Sequence, residues 1–215
     1  MKILSAILLS GISITSFAEI EEDSSSQFLL DNEYTSIEII GSFRSYEGIT
    51  ELELGSEIKA QYLITPNIYA IGSYERTKIS SKDFDITIKG QALSYGLGVR
   101  QAFLMEADEV DVFAYFNLMN TFGSISDSTE TIKGNSSAYE IGAGYSIKPG
   151  AKPELVMALT LFMNKYKDFE MELSDFAYTV DMGYDINPNF QAKMVVEMSF
   201  SFDDPKFGIG VKGKL

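Results

Sequence analysis

Between Asp175 and Ser201 the chain alternates residue by residue. Phe176, Tyr178, Val180, Met182 and Tyr184 are separated by polar or small residues; Ile186-Asn187-Pro188-Asn189 interrupts; then Phe190, Ala192, Met194, Val196, Met198 and Phe200 resume the pattern. A period of two puts the two sets of side chains on opposite faces of an extended strand. Proline presets φ and asparagine tolerates left-handed backbone, so the interruption reads as a tight turn and the whole stretch as a β-hairpin. A chain built from this unit is committed to sheet, with an oily, aromatic-rich face and a polar or small-residue face on every strand.

The pattern recurs from Tyr34 to the end. Strands are expected over residues 34–44, with Ile37, Ile39 and Phe43 on one side, and over 49–64, with Leu52, Leu54, Ile58 and Tyr62 opposite Glu51, Glu53, Glu57 and Lys59. A third covers 68–79, with Ile68, Ala70, Gly72 and Tyr74 as its apolar side, and a fourth covers 86–103. The fifth, 110–122, is apolar on both faces and cannot be oriented. Residues 123–135, rich in Ser, Thr, Asp and Gly, read as the longest loop. A sixth strand follows through Tyr139, Ile141 and Tyr145, and a seventh from Leu155 to Met163. Then come the opening hairpin and a final strand from Phe207 to Leu215. This makes ten strands, with eight as the alternative.

The connections are too short for parallel crossovers, so neighbours must be antiparallel. A meander with no covering helix resolves its two edges by closing on itself, which predicts a single up-and-down β-barrel.

Composition bears on the class of function. The 215 residues contain no cysteine and no histidine, which removes disulfides, thiol chemistry and the commonest general base and metal ligand. A formal charge of −14 argues against nucleic acid as partner. At the front, Lys2, the apolar run 3–14 and Ser16-Phe17-Ala18 have the tripartite pattern of a secretory signal, so residues 1–18 are expected to be cleaved. Residues 19–33, acidic and serine-rich, read as a flexible segment, which leaves 34–215 as the folded domain. No later segment could cross a membrane as a helix, so membrane residence would have to come from strands.

Alternation alone does not say which face is inside. A soluble, lipocalin-like barrel would turn the oily face inward. Three features favour the opposite. The polar faces are full of glycine, including Gly55, Gly90, Gly96, Gly98, Gly142, Gly144, Gly183, Gly208 and Gly210, which suits a crowded lumen better than a solvated strand. The apolar faces carry aromatics near their turns: Tyr62, Phe103, Tyr145, Tyr184 and Phe190 form a candidate girdle. Phe176 and Tyr184 would lie roughly 20 Å apart along a barrel tilted by about 40°, close to the roughly 25 Å band of an outer-membrane barrel. The strand number is even, as expected when both chain ends face the periplasm.

The turn Thr65-Pro66-Asn67-Ile68-Tyr69, its echo Asn187-Pro188-Asn189-Phe190, and the ending Gly208-Ile209-Gly210-Val211-Lys212-Gly213-Lys214-Leu215 resemble the small bacterial outer-membrane barrels of the OmpX/OmpA-like and opacity type. The resemblance covers 34–215. It implies export through the Sec pathway, insertion by the barrel-assembly machinery through that C-terminal signal, residence in the cell outer membrane and contact with its lipid and lipopolysaccharide. A monomer is expected.

Outer-membrane barrels that are enzymes resemble one another in using histidine beside a carboxylate or serine, which this chain lacks, so no catalytic residue, cofactor or metal is assigned. The inward charges Glu57, Lys59, Glu75, Arg100, Glu140, Asp181, Lys193 and Glu197 are instead expected to pair across a mostly closed lumen, with Lys59, Arg100 and Lys193 at similar depth. That reading makes the chain structural or interactive. The alternatives are a small cation-preferring channel, given the acidic excess, and a surface binder acting through loops at 46–48, 80–85, 123–135, 165–171 and 203–206.

Overall fold

The computed structural model describes residues 34–45, 52–81, 85–127, 129–152, 154–168, 171–200 and 204–215, with the side chains of 166–174 outside that description. The expected signal peptide (1–18), the acidic segment (19–33) and the link at 46–48 lie outside it.

Ten antiparallel strands close into one up-and-down barrel. They are β1 Ser36–Ser45, β2 Leu52–Thr65, β3 Ile68–Ser81, β4 Ile86–Met105, β5 Asp108–Ser126, β6 Thr131–Lys148, β7 Leu155–Asp168, β8 Met171–Asn187, β9 Phe190–Ser199 and β10 Lys206–Lys214. Each strand pairs with its neighbours in sequence, and β1 pairs with β10 from Ser36↔Lys214 to Arg44↔Lys206, so no edge is left along the barrel wall. Four tight connections and the paired ends of β1 and β10 share one end of the barrel, here the lower end. The other five connections share the upper rim.

The faces are those of a membrane-spanning barrel. Outward side chains are apolar and bare: Ile39 is 58% exposed, Leu97 58% and Ile209 68%. Inward positions hold the buried polar groups Glu38, Arg100, Asp111, Asn117, Gln191 and Lys212. This inverts the soluble barrel, because lipid, unlike water, favours an oily exterior and requires every backbone group to be bonded within the wall. The third strand faces as expected, with Tyr74 outward and Tyr69 and Ile71 buried. Tyr62, Phe103, Tyr145, Tyr184 and Phe190 all stand outward near the lower turns, and Phe43, Tyr74, Phe176 and Phe207 stand outward toward the upper rim. Phe43 and Phe207 stack at 5.7 Å across the closing seam.

Three expectations are corrected. The stretch 123–135 is no loop: β5 runs to Ser126 and β6 starts at Thr131, with Ser126↔Thr131 paired. Asp127 turns this hairpin, its Oδ1 accepting from the Thr129 and Glu130 backbone N–H groups at 2.7 Å each. Other expected loops are likewise trimmed by strand: 165–168 belong to β7, paired onward to Asp168↔Met171, Ser80 and Ser81 to β3, with Ser81↔Ile86, and Lys206 to β10, with Lys206↔Glu197. Tyr34 is not part of the first strand; it precedes β1 and tucks into the lumen, 6% exposed.

The fifth strand acquires an orientation: Val112, Phe116, Leu118 and Phe122 face out, while Phe113 and Tyr115 point in. Room for the inward rings comes from glycine on the neighbouring strands. The Tyr69 ring lies against Gly98 and the Tyr115 ring against Gly142, where any Cβ would overlap the ring.

The wall is uneven. β4, β5 and β6 have 20, 19 and 18 residues, against 10, 10 and 9 in β1, β9 and β10. At about 3.3 Å per residue and a tilt of about 40°, ten residues climb about 25 Å and twenty about 50 Å. The short side just crosses a hydrocarbon core, and the tall side stands well above it.

Candidate functional site in the barrel lumen

Inward-pointing charges from strands far apart in sequence meet in the lumen because each strand presents every second residue there, and the tilt brings different positions to the same depth. They sort into layers.

The lowest layer lies at the mouth on the chain-end side. Arg100 Nε lies 2.7 Å from Asp111 Oδ2, with both side chains fully enclosed. Tyr34 covers this pair, its ring 4.5 Å from the Arg100 guanidinium carbon, and packs on Tyr69 at 4.7 Å between ring centres. Leu63, Ile71, Phe113 and Tyr115 complete an apolar plug around the two tyrosines. Across the lumen, Asp185 takes Lys148 at 3.0 Å and Lys214 at 2.6 Å, and the Gln191 side-chain amide donates to it at 2.8 Å.

Above it, Lys193 bridges Glu38 at 3.1 Å and Asp181 at 3.2 Å. Higher still, Lys206 meets Glu75 at 2.5 Å and Glu197 at 3.8 Å, and Arg44 reaches Glu197 at 3.0 Å. A buried charge is expensive unless paired, and each of the six cations of these layers, Arg44, Arg100, Lys148, Lys193, Lys206 and Lys214, lies against at least one carboxylate. Two polar cavities of about 220 and 240 Å³ lie among these layers.

The eight lumen residues named from sequence all point inward. Glu75, Asp181, Lys193 and Glu197 enter the two upper layers. Arg100, expected at a depth similar to Lys59 and Lys193, pairs with Asp111 on the diagonal from β4 to β5. Glu140 accepts from the Asn117 side-chain amide at 3.1 Å. Glu57 and Lys59 depart from the expected pairing: they line both cavities, and among the described residues neither is within ion-pair distance of a partner. Sequence reasoning missed Tyr34, Glu38, Arg44, Asp111, Lys148, Asp185, Lys206 and Lys214. Inward parity was readable for all but Asp111, on the strand that could not be oriented, and Lys206, expected in a loop, but which strand positions share a depth depends on register and tilt. Among the described residues no cluster of three or more acidic side chains is arranged to hold a metal ion.

No protein-family model matches the sequence, and no curated protein matches it. Among solved structures the chain is similar to small outer-membrane barrels. It is 14% identical to the attachment invasion locus protein Ail of Yersinia pestis, covering 84% of this chain and 97% of that one, with a TM-score of 0.40. It is 14% identical to the N-terminal β-barrel domain of Pseudomonas aeruginosa OprF, covering 84% and 98%, with a TM-score of 0.39. With the NanC porin the values are 10% identity, 83% and 100% coverage and a TM-score of 0.45.

Proposed function

We propose that this chain is a bacterial outer-membrane barrel, exported and inserted with its lower end toward the periplasm, non-enzymatic, and structural or interactive in role. Its lumen does not conduct at rest. The observation that carries this reading is the lowest layer: the enclosed Arg100–Asp111 pair under Tyr34, beside the Lys148–Asp185–Lys214 bridge. Among the described residues these groups hold the lumen charges at that end in close pairs, whereas conduction needs sites that bind loosely enough to release. The absence of histidine and cysteine from the sequence supports a non-catalytic role. Outer-leaflet lipid and lipopolysaccharide, and the assembly machinery during insertion, are its natural contacts.

The test is single-channel recording of the refolded barrel in planar bilayers. Silence supports the closed lumen. Steady currents overturn it in favour of the cation-preferring channel that the acidic excess would imply. Gel mobility with and without boiling tests the membrane barrel itself, because a closed barrel resists SDS until heated.

A second reading, surface recognition, is favoured by one feature, the tall β4–β6 wall with its β5–β6 hairpin. Deleting residues 124–134 and measuring host-cell or serum-factor binding tests it; unchanged binding removes the support.

A further inference from the structure

The outer face of the tall wall carries a charge pattern opposite to that of the whole protein. Lys78 stands directly opposite Lys89, Lys89 opposite Ser124, and Ser124 opposite Lys133, in one row across β3 to β6. Arg76 lies two residues below Lys78 on the same face, and all four cations are exposed. Among the described residues none of the four has an ion-pair or hydrogen-bond partner, in contrast to the six cations of the lumen layers. The outward positions of 74–80, 87–93, 118–126 and 131–139 contain no carboxylate, although the chain has 31 acidic residues to 17 basic ones.

The level of this row matters as much as its sign. Along the strands the cations stand above the lipid-facing belt: Arg76 directly after Tyr74, Lys89 four residues above Leu93 with Gln91 between them, and Lys133 six above Tyr139 with Ser137 and Asn135 between them. At about 3.3 Å per residue and the barrel tilt, the lower members stand within about 10 Å of the top of the hydrocarbon. That is the depth of lipid headgroups. Like charges directly opposite on adjacent strands repel, since their Cβ atoms sit only about 5 Å apart. Lys78 and Lys89 are therefore poised for an anion between them, with Arg76 about 7 Å and Lys133 about 10 Å away as further donors.

We propose that this row is a docking site for the phosphorylated headgroup of an outer-leaflet lipid, which seats its phosphates on Arg76, Lys78, Lys89 and Lys133 and its chains on the belt below. This rests on the reading of the chain as an outer-membrane barrel. The apolar belt below the cations selects a lipid over a free anion, because only a lipid satisfies both at once.

The experiment uses the mature barrel refolded in neutral detergent and titrated with purified bisphosphorylated lipid A, with bound lipid counted by native mass spectrometry. Lys89→Gln is expected to weaken binding about five-fold, and Lys78→Gln/Lys89→Gln/Lys133→Gln on the order of a hundred-fold. Lys152→Gln, at a lower turn, should leave it unchanged. Equal affinity of the triple variant and the wild type overturns the site. An equal loss in Lys152→Gln reduces it to net charge and overturns it too. Displacement of the lipid by millimolar inorganic phosphate overturns the choice of lipid. Boiling-dependent gel mobility of every variant keeps the outcomes separate. A barrel that forms but ignores lipid A sinks this proposal alone, whereas a wild type that never forms a heat-modifiable barrel sinks the membrane reading.

Discussion

Arg100 Nε lies 2.7 Å from Asp111 Oδ2, and neither side chain has exposed surface. Removing one partner strands a charge in a dry site. Asp111→Ala is therefore expected to destabilise the barrel by about 3–5 kcal/mol in urea titrations of vesicle-inserted protein. Arg100→Met/Asp111→Leu, which removes both charges, should recover most of that loss. A double variant as unstable as the single one would assign the effect to packing.

Tyr34 covers that pair from outside the strand ladder, held by ring contacts to Tyr69 and Arg100. Tyr34→Ala should let brief channel openings appear in bilayer recordings while heat-modifiability is kept, because no ladder residue changes. Recordings as silent as wild type would mean that the ionic layer alone closes the mouth.

The rings of Tyr69 and Tyr115 lie in the spaces left by Gly98 and Gly142. Gly142→Ala puts a methyl group into the Tyr115 ring, and a crowded interior resists such additions, so a loss of about 1–3 kcal/mol is expected in the same urea assay. Combining it with Tyr115→Ala should make the two costs less than additive. Strict additivity would show that the glycine has another role.

Asp127 lies in the β5–β6 turn, where its carboxylate accepts from Thr129 N at 2.7 Å, Thr129 Oγ1 at 2.8 Å and Glu130 N at 2.7 Å. The Thr129 and Glu130 backbone donors, with the Thr129 hydroxyl, hold its carboxyl below the usual aspartate range. A depressed folded value means that the turn is fully stabilised above the unfolded value of about 3.9 and loosens as pH falls through the lower folded value. NMR in bicelles should show the Thr129 and Glu130 amides titrating below pH 3.9, and Asp127→Asn should abolish the step. A midpoint at or above 3.9 would contradict the turn geometry.

The ten strands and their inner and outer faces were legible because a period of two survives in almost every segment. β5 escaped because its inward Phe113 and Tyr115 are as oily as its outward residues, and only the glycines on β4 and β6 explain why rings fit inside. The 123–135 stretch escaped for the reverse reason. Above the membrane a two-stranded ribbon can be built from Ser, Thr, Lys and Gly, and that composition also describes a loop. Within the lumen, parity identified Lys193 and Asp181 but not their meeting with Glu38, 155 positions from Lys193 in sequence. That juxtaposition is a product of closure, which brings β1 beside the last strands.

A cylinder with one wall about twice the height of the other is no longer alike in all directions around its axis. Among the described residues, β9, β10 and β1 form a low parapet of the upper rim and β4, β5 and β6 a high one on the other side. Neighbours in the plane of the bilayer likewise meet two unlike flanks, so this protein has a front and a back as well as a top and a bottom.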